Sequence, residues 1–260
     1  MSPMCGRYAS SRRPEDLVDE FEVADALLAA PLDPDWNVAP TKEVYAVLER
    51  PAKEDRPQVR QLRALRWGLV PSWAKDPAIG NRMINARMET VAEKPAYRRA
   101  FAARRCLLPA DGYYEWYATR ATSPAGKARK QPFFIRPRDG SVLAMAGLYE
   151  IWRDPDRADD DPERFRWTCT VLTTAAEDAL GHIHDRMPLM VPRERRDAWL
   201  DPSGGGAGDP RDLLVPAAPG ELEAVAVSTL VSDVRNNGPE LVRPLPLEDV
   251  PDDLREQDGR

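Results

Sequence analysis

The stretch Met1-Ser2-Pro3-Met4-Cys5-Gly6-Arg7-Tyr8 opens the sequence, and the rest of the chain is interpreted around its one cysteine, Cys5. A cysteine at the first position of a mature chain carries two nucleophiles, a thiol with an ordinary pKa of about 8.5 and an α-amine with an ordinary pKa of about 7.7–8.0. Such a pair condenses with an aldehyde, because the amine forms a Schiff base and the thiolate then closes a thiazolidine ring. A lone cysteine is more often a packing residue, so the other motifs decide between the two interpretations.

The α-amine of Cys5 is free only if residues 1–4 are removed, and we therefore expect these residues to be a removable leader. Translation from Met4, followed by ordinary removal of that Met, is the favoured route. Trimming from Met1 would stop at Ser2-Pro3, because the fixed ring of proline resists ordinary aminopeptidases. Self-processing before Cys5 is the alternative route.

Composition predicts a globular chain with a sizeable core. The 260 residues are 42% hydrophobic and 31% charged, which suits one large domain or two small ones. No apolar run reaches the roughly 18 residues needed to span a bilayer, and the N-terminus lacks a secretory pattern. We therefore expect a cytoplasmic protein with no membrane partner. The three cysteines are widely spaced and only two histidines accompany them, so we expect no metal, no cofactor and no disulfide framework.

The charge is distributed unevenly along the chain, although the net charge is −6. Residues 60–130 contain 15 Lys and Arg against 5 Asp and Glu, a net charge of +10. The flanking segments 1–59 and 131–260 carry net charges of −5 and −11. A basic segment between acidic ones is typical of a phosphate-binding face, and arginines that merely solvate helices are the alternative.

Two tryptophans lie close together in the basic segment. Trp67 and Trp73 alternate with Arg66 and Lys75 on Pro- and Gly-containing turns. Flat side chains beside cations can stack on unpaired bases, which is worth about 1–3 kcal/mol per base. Tryptophan is also a common core residue, so this pattern by itself is weak evidence for nucleic-acid binding.

Two further residues are candidates for proton transfer. Glu115 stands among Tyr113, Tyr114, Trp116 and Tyr117, and a carboxyl group in apolar surroundings suits general acid/base chemistry. A Glu that points to solvent from an edge strand is the alternative. His184, one of only two histidines, lies beside an Asp and an Arg and could shuttle protons, whereas most single histidines pack.

Periodicity and turn residues predict a chain that is mainly β-structure with a few helices. We expect helices over 13–30, 97–103, 175–180 and 193–200, and strands over 43–48, 62–69, 132–135, 142–149, 167–174, 189–191 and 224–227. The acidic segment 154–163 is predicted to be a surface loop that tolerates deletion, and the tail 247–260 to be disordered.

The motifs together resemble one family. They are Met4-Cys5-Gly6-Arg7-Tyr8, Asn37-Val38-Ala39-Pro40-Thr41, Arg66-Trp67-Gly68-Leu69-Val70-Pro71-Ser72-Trp73, Ile84-Asn85-Ala86-Arg87-Met88-Glu89-Thr90, Gly112-Tyr113-Tyr114-Glu115-Trp116, His184-Asp185-Arg186-Met187-Pro188 and Val234-Arg235-Asn236-Asn237-Gly238. The series is similar to that of the SRAP family, the SOS-response-associated peptidase-like proteins that sense abasic sites in single-stranded DNA. The resemblance covers the chain in the right order from Cys5 to about Pro246.

The resemblance implies a single α+β domain over 5–246, with bent and bifurcated β-sheets that close into a small barrel surrounded by helices. It also implies the chemistry, which is attack by the N-terminal cysteine on the ring-opened aldehyde of an abasic deoxyribose. The thiazolidine product is a DNA–protein crosslink that shields the lesion during the DNA damage response. AP lyase activity and autoproteolysis are further activities that the resemblance suggests.

The resemblance assigns roles to individual residues. Cys5 would be the nucleophile, Asn85 would orient it, Glu115 would help to open the sugar ring, and His184 would assist proton transfer. The DNA-binding residues would be Arg7, Asn37, Pro40, Trp73, Arg87, Trp116 and Arg186, of which the arginines would hold phosphates. The implied partner is single-stranded DNA that contains abasic sites, bound by a monomer that associates with the nucleoid.

Two other functions remain open. An N-terminal-cysteine peptidase or self-processing hydrolase would use the same Cys5 to cleave acyl bonds and turn over. A passive single-strand binding module would use Cys5 only for packing. A stable adduct with abasic DNA distinguishes the first function from both alternatives, and multiple turnover on a peptide would favour the hydrolase.

Overall fold

The computed structural model describes residues 6–52, 58–122, 126, 128–176, 183–203, 209–215, 220–251 and 254. Cys5, the leader 1–4 and most of the helix expected over 175–180 lie outside these residues. The strands are β1 Tyr8–Ser10, β2 Asp25–Leu27, β3 Asp35–Val38, β4 Glu43–Glu49, β5 Arg60–Trp67, β6 Asn85–Arg87, β7 Arg105–Ala110, β8 Gly112–Thr122, β9 Ala128–Pro137, β10 Leu143–Arg153, β11 Phe165–Ala175, β12 Arg186–Pro188 and β13 Leu222–Ala226. The α-helices in the described part are α1 Pro14–Glu20, α2 Arg98–Ala103 and α3 Arg196–Leu200.

Five strands close into a barrel in the order β11-β10-β7-β4-β5. The closing contact is parallel and pairs Thr168 with Arg66 and Cys169 with Trp67, while the other neighbours in the ring are antiparallel. Strands β2, β6 and β12 extend the sheet outside the ring. The expected small barrel within an α+β fold is therefore confirmed.

Both faces of the barrel strands are buried. Because successive side chains of a strand point to opposite faces, one set faces the barrel interior and the other set faces outward. On β4, Val44, Ala46 and Leu48 face the barrel interior, and Tyr45 and Val47 face outward. The outward side chains pack against the three short α-helices. Together they form a second apolar cluster on the outer side of the barrel. The 3₁₀ turns in the described part are Pro77–Arg82, Arg193–Arg195, Pro210–Leu213, Thr229–Ser232, Pro239–Val242 and Leu247–Asp249.

A second, five-stranded sheet branches from the barrel in the order β13-β9-β8-β1-β3. The chain passes from β7 to β8 through Asp111 alone, and Gly112 follows at the bend. A Cβ atom at Gly112 would lie 2.6 Å from the carbonyl oxygen of Ile135, so only glycine fits there. This bend places β8, with Glu115, beside the barrel instead of in its wall.

Several expected elements differ from the observed ones. The helix expected over 13–30 ends at Glu20, because Glu22 adopts a φ of 53° and the backbone of Asp25–Leu27 pairs with β5. A strand expected over 189–191 instead spans Arg186–Pro188, and the helix expected over 193–200 begins with a 3₁₀ turn. The helices are few and short and do not surround the barrel. Among the described helices, none is long and apolar enough to cross a bilayer.

The segment 154–163 is a surface loop, as expected, whereas the described part of the tail is packed although it was expected to be disordered. In the segment 154–163, Arg157 contacts the carboxylates of Asp161 at 2.8 Å and Glu163 at 3.0 Å. In the tail, Leu247–Asp249 forms a 3₁₀ turn and Leu254 packs against the barrel core. Deletion of 154–163 would therefore remove an ion-pair cluster together with the loop.

Candidate functional site

An open cavity of about 700 Å³ lies between the start of β1, strand β8, the chain before β12 and the 3₁₀ turn Thr229–Ser232. It is lined by Gly6, Arg7, Glu115, Trp116, Tyr117, Ala118, Lys130, Ile183, His184 and Ser232. Four of the predicted site residues, Arg7, Glu115, Trp116 and His184, therefore meet in one place. Another open depression, of about 710 Å³, runs past Glu49, Arg60 and Asp197 and contains none of the predicted residues.

The cavity lies where the N-terminal segment joins the second sheet. β1 is antiparallel to β8, with Tyr8 opposite Tyr113, and the N–H of Tyr114 donates to the carbonyl oxygen of Arg7 at 2.9 Å. Extension of this register places Gly6 alongside Glu115, and both residues line the cavity. Cys5 lies outside the described residues, but a single peptide bond joins it to Gly6, which limits their Cα separation to about 3.8 Å.

Glu115 is buried, with only 3% of its surface exposed, and pairs with Phe133 across β8 and β9. The alternative in which this Glu points to solvent is therefore wrong. Its neighbours along β8 separate by face, because Tyr113 packs into the barrel core and Tyr114 packs against Phe134 on the other side. A carboxylate held among aromatic side chains and facing a cavity can exchange a proton with a bound sugar.

His184 lies directly before β12, and 19% of its side chain is exposed. Its Nδ1 accepts a hydrogen bond from the backbone N–H of Arg186 at 3.1 Å. This contact favours the neutral tautomer in which Nε2 carries the proton. The Oδ1 of Asp185 lies 3.1 Å from the same Nδ1.

Arg7 is held from inside the protein. Its Nη1 donates to Asn37 Oδ1 at 2.6 Å and to the carbonyl oxygen of Val231 at 2.9 Å, and its guanidinium lies 5.7 Å from the centre of the Trp116 ring. Burial lowers the pKa of Arg7 below its ordinary value, while Tyr114, Asp35 and Asp233 act in the opposite direction. Asn37 is fully buried, and the expectation that it contacts DNA stays a prediction.

Trp116 forms part of the cavity wall. Its Nε1 donates to the Oγ of Ser232 at 3.0 Å, and its ring is 6.4 Å from that of Tyr114. The indole is only partly buried, so one portion of the ring faces the cavity. This position suits the stacking role that the sequence analysis assigns to it.

Asn85 and Arg87 lie on β6, which runs parallel to β11. The O–H of Tyr97 donates to the carbonyl oxygen of Asn85 at 3.1 Å, and burial raises the pKa of Tyr97 to about 12. Arg87 is exposed at the end of the strand. Neither residue is among the described residues that line the cavity, so the grouping of Asn85 with Glu115 and His184 stays a prediction.

Arg186 is not presented to solvent as a free phosphate contact. Its Nη1 and Nη2 pair with the two carboxylate oxygens of Glu89 at 2.5 and 3.0 Å, and Nη2 also donates to the carbonyl oxygen of Thr173 at 2.6 Å. Only 11% of the side chain is exposed, and the pairing lowers the pKa of Glu89 below its ordinary value. Glu89 neutralises Arg186 in this arrangement, and the expectation that Arg186 holds a phosphate stays a prediction.

The remaining predicted DNA contacts lie away from the cavity wall. Trp73 is 56% exposed in a turn after β5, and Pro40 is partly buried before Thr41, which has a φ of 76°. Trp67 is fully buried, lies 5.1 Å edge-on from Tyr8, and donates to the carbonyl oxygen of Ile84 at 2.9 Å. Of the two tryptophans in the basic segment, Trp73 can stack on a base and Trp67 is a core residue.

Sequence reasoning missed part of the cavity lining. Ser232, Lys130 and Ile183 contribute to the wall. Ile183 directly precedes the motif that begins at His184, Ser232 lies two residues before Val234, and Lys130 adjoins no quoted motif. These residues are far apart in the chain, so no local pattern marks them. The described residues contain no group of three or more His, Cys, Asp or Glu side chains that could hold a metal ion.

Comparisons with known proteins find relatives over most of the chain. A family profile described as SOS response associated peptidase (SRAP) matches residues 4–234. The chain is 36% identical over 239 residues to the abasic site processing protein YoqW of Bacillus subtilis, covering 92% of this chain and 99% of that protein. It is 33% identical over 249 residues to the abasic site processing protein YedK of Escherichia coli, covering 93% and 100%.

A solved structure supports the same architecture. The crystal structure of a protein from Bacteroides thetaiotaomicron superimposes with a TM-score of 0.75 and covers 93% of this chain and 100% of that one. The two sequences are 22% identical, so this likeness concerns the fold alone.

Proposed function

Because the chain belongs to the SOS response associated peptidase (SRAP) family, we propose that it processes abasic sites in single-stranded DNA by forming a thiazolidine crosslink through Cys5. The observation that carries the proposal is the convergence of Glu115 and His184 on one cavity beside Gly6. A buried carboxylate and an imidazole with a free Nε2 are the two proton-transfer groups that condensation with an aldehyde requires. The names of the relatives support abasic DNA as the substrate.

The reaction needs no oxidant and no metal ion to balance. The sugar first opens by proton transfer to its ring oxygen, which exposes the C1′ aldehyde, and Glu115 is placed to exchange this proton. The α-amine of Cys5 then adds to C1′, and water leaves to give the Schiff base. The thiol adds across the C=N bond, so Sγ bonds to C1′ and the thiol proton ends on nitrogen. When the Schiff base forms, His184 Nε2 donates a proton to the leaving hydroxyl group, and it accepts a proton when this step reverses.

DNA binding in the proposal depends on residues that remain available at the surface. Arg87 holds a phosphate, Trp73 and Trp116 stack on or wedge between bases, Pro40 contributes to the wedge, and Asn85 orients Cys5. The protein acts as a monomer in the cytoplasm and is nucleoid-associated when bound to DNA. A lyase side reaction is also part of the proposal, because the Schiff base permits elimination of the 3′ phosphate, and autoproteolysis is one way to expose Cys5.

The test is incubation of protein that begins at Cys5 with single-stranded DNA carrying one abasic site, followed by heating and denaturing electrophoresis. The matched control is the same oligonucleotide with a tetrahydrofuran analogue, which cannot open to an aldehyde. We expect a heat-stable, slowly migrating band with the natural site alone. A band of equal intensity with the analogue, or no band with either DNA, would refute the proposal.

The N-terminal-cysteine hydrolase remains the second candidate, since the family description includes the word peptidase. It would use the same cavity, with His184 or Glu115 as the base for Cys5. Release of more than one equivalent of cleaved peptide per protein, in the absence of any DNA adduct, would favour it.

A further inference from the structure

Asn37 joins three parts of the chain that meet at the cavity. It lies on β3, it contacts Arg7 near the N-terminus, and it contacts the segment of residues 228–238, which we call the wall segment. Its side-chain amide is fully buried. A buried amide that satisfies partners on separate chain segments fixes their relative positions, because loss of the amide leaves buried polar groups with fewer partners.

The amide can adopt only one orientation. Nδ2 lies 3.3, 3.0 and 2.8 Å from the carbonyl oxygens of Val231, Asp233 and Asn236, all of which are acceptors. Oδ1 faces Arg7 Nη1 at 2.6 Å, which is a donor. A flipped amide would oppose acceptor to acceptor and donor to donor at every contact. Three backbone carbonyls of the wall segment therefore share the two N–H bonds of one side chain.

The wall segment carries one side of the cavity. Ser232 lines the cavity and accepts the hydrogen bond from Trp116 Nε1 at 3.0 Å. Arg7 Nη1 also donates to Val231 at 2.9 Å, immediately beside Ser232. Displacement of the wall segment would therefore move Ser232, release the Trp116 indole and withdraw a partner of Arg7, two residues after Cys5.

We infer that Asn37 is a positioning residue for the crosslinking reaction, because its amide group holds the wall segment and Arg7 in the arrangement that shapes the cavity. The inference rests on the proposed function. Because the Asn37 side chain is fully buried, we expect its loss to affect the rate of the bound complex and to leave the affinity for DNA intact. Misplacement of reacting groups by about 1 Å can slow a reaction by roughly 10²-fold.

Asn37→Asp tests the two contacts of the amide separately, the one from Oδ1 to Arg7 and the one from Nδ2 to the wall segment. The new carboxylate keeps an acceptor for Arg7 but presents oxygen to three carbonyl oxygens, so the wall segment is released. We expect the crosslinking rate at saturating abasic DNA to fall about 10- to 100-fold, with an unchanged dissociation constant for undamaged single strands. Trypsin should cleave after Arg235, whose side chain is 85% exposed, faster than in the wild type. Asn37→Ala loses the contact with Arg7 as well as the contacts with the wall segment, so its crosslinking should be at least as slow.

Asn237→Ala is the matched control, because Asn237 ties the same segment to the N–H of Trp36 and the carbonyl oxygen of Pro34, outside the cavity. It should crosslink at the wild-type rate. If both Asn37 variants fail to fold, Ser232→Ala tests the same wall by removing the acceptor of the Trp116 Nε1 hydrogen bond, and it should slow crosslinking while binding of undamaged single strands persists.

A wild-type rate in Asn37→Asp, an equal loss in Asn237→Ala, or a parallel loss of DNA affinity would each overturn the inference. Failure of the wild-type protein to crosslink would instead refute the proposed function, and the trypsin assay would still report whether Asn37 holds the wall segment.

Discussion

Side chains of reactive types lie both in the barrel interior and in the cavity beside it, but their surroundings differ. In the barrel, Cys106 and Cys169 are fully buried, and burial raises the pKa of both thiols well above its ordinary value. In the cavity, Glu115 and His184 face an open space of about 700 Å³. A thiol that cannot ionise or meet a substrate is a packing group. In this chain, the surroundings of a side chain, and not its residue type, therefore indicate whether it can take part in a reaction.

The largest expected effect separates Cys5 from the barrel thiols. Cys5→Ala, or a chain that retains residues 1–4, should lose the heat-stable crosslink completely, because the first lacks the thiol and the second lacks the free amine. Cys169→Ala should crosslink like the wild type, since its thiol lies inside the barrel. Denaturing electrophoresis with abasic DNA, and intact mass to define the first residue, measure both. Full crosslinking by a chain with a blocked amine would contradict the thiazolidine mechanism.

The next effect compares two buried carboxylates. Glu115→Gln should slow crosslinking by about 10²–10⁴-fold, the usual loss when a general acid/base is removed. Its binding to undamaged single strands should persist. Glu150→Gln is the barrel counterpart, because Glu150 is 5% exposed and pairs with Arg104 at 2.7 Å. That variant should lower the thermal unfolding midpoint without a change in rate. Equal losses of rate in both variants would make Glu115 a structural residue.

The barrel strands were predictable because they are short runs rich in apolar and β-branched residues. β4, β5 and β11 fall close to the expected ranges 43–48, 62–69 and 167–174. The error over 13–30 has a tertiary cause, since the apolar spacing there suits a helix while residues 25–27 gain backbone pairs with β5. A local sequence pattern cannot indicate a pairing partner 36 residues away.

From the sequence, the residues of the cavity could be predicted only as members of separate motifs. Glu115, His184, Trp116 and Arg7 converge, but Ser232 reaches the cavity through a contact with Trp116, 116 residues away in sequence. Arg186 pairs with Glu89, which is 97 residues distant, and no local pattern indicates this partner. Sequence indicates which residue types are present, and long-range pairing decides which of them remain available to a ligand.

The third prediction concerns two arginines near the edge of the barrel. Binding of single-stranded DNA should weaken with salt, with a log–log slope of about −0.7 per phosphate contact. Arg87→Ala should make this slope shallower by about one contact, because Arg87 is exposed. Arg186→Ala should leave the slope unchanged, since Glu89 already pairs with Arg186. Titration of binding at several salt concentrations measures this, and a slope change in Arg186→Ala alone would show that DNA displaces Glu89.

The smallest expected effect contrasts an exposed ion pair of the wall segment with the buried contact of Asn37. Hydrogen bonds from Arg235 lower the pKa of Asp233 from 3.8 to about 2. Because the pKa in the folded state is depressed, the pair contributes stability above pH 3.8 that disappears as the pH falls towards 2. Arg235→Ala should return the Asp233 pKa towards 3.8 in a carboxyl NMR titration. The crosslinking rate at neutral pH should not change, since exposed pairs contribute little and the carbonyls held by Asn37 keep their partner. A loss of rate as large as that of Asn37→Asp would show that the exposed pair, and not the buried amide, holds the wall segment in place.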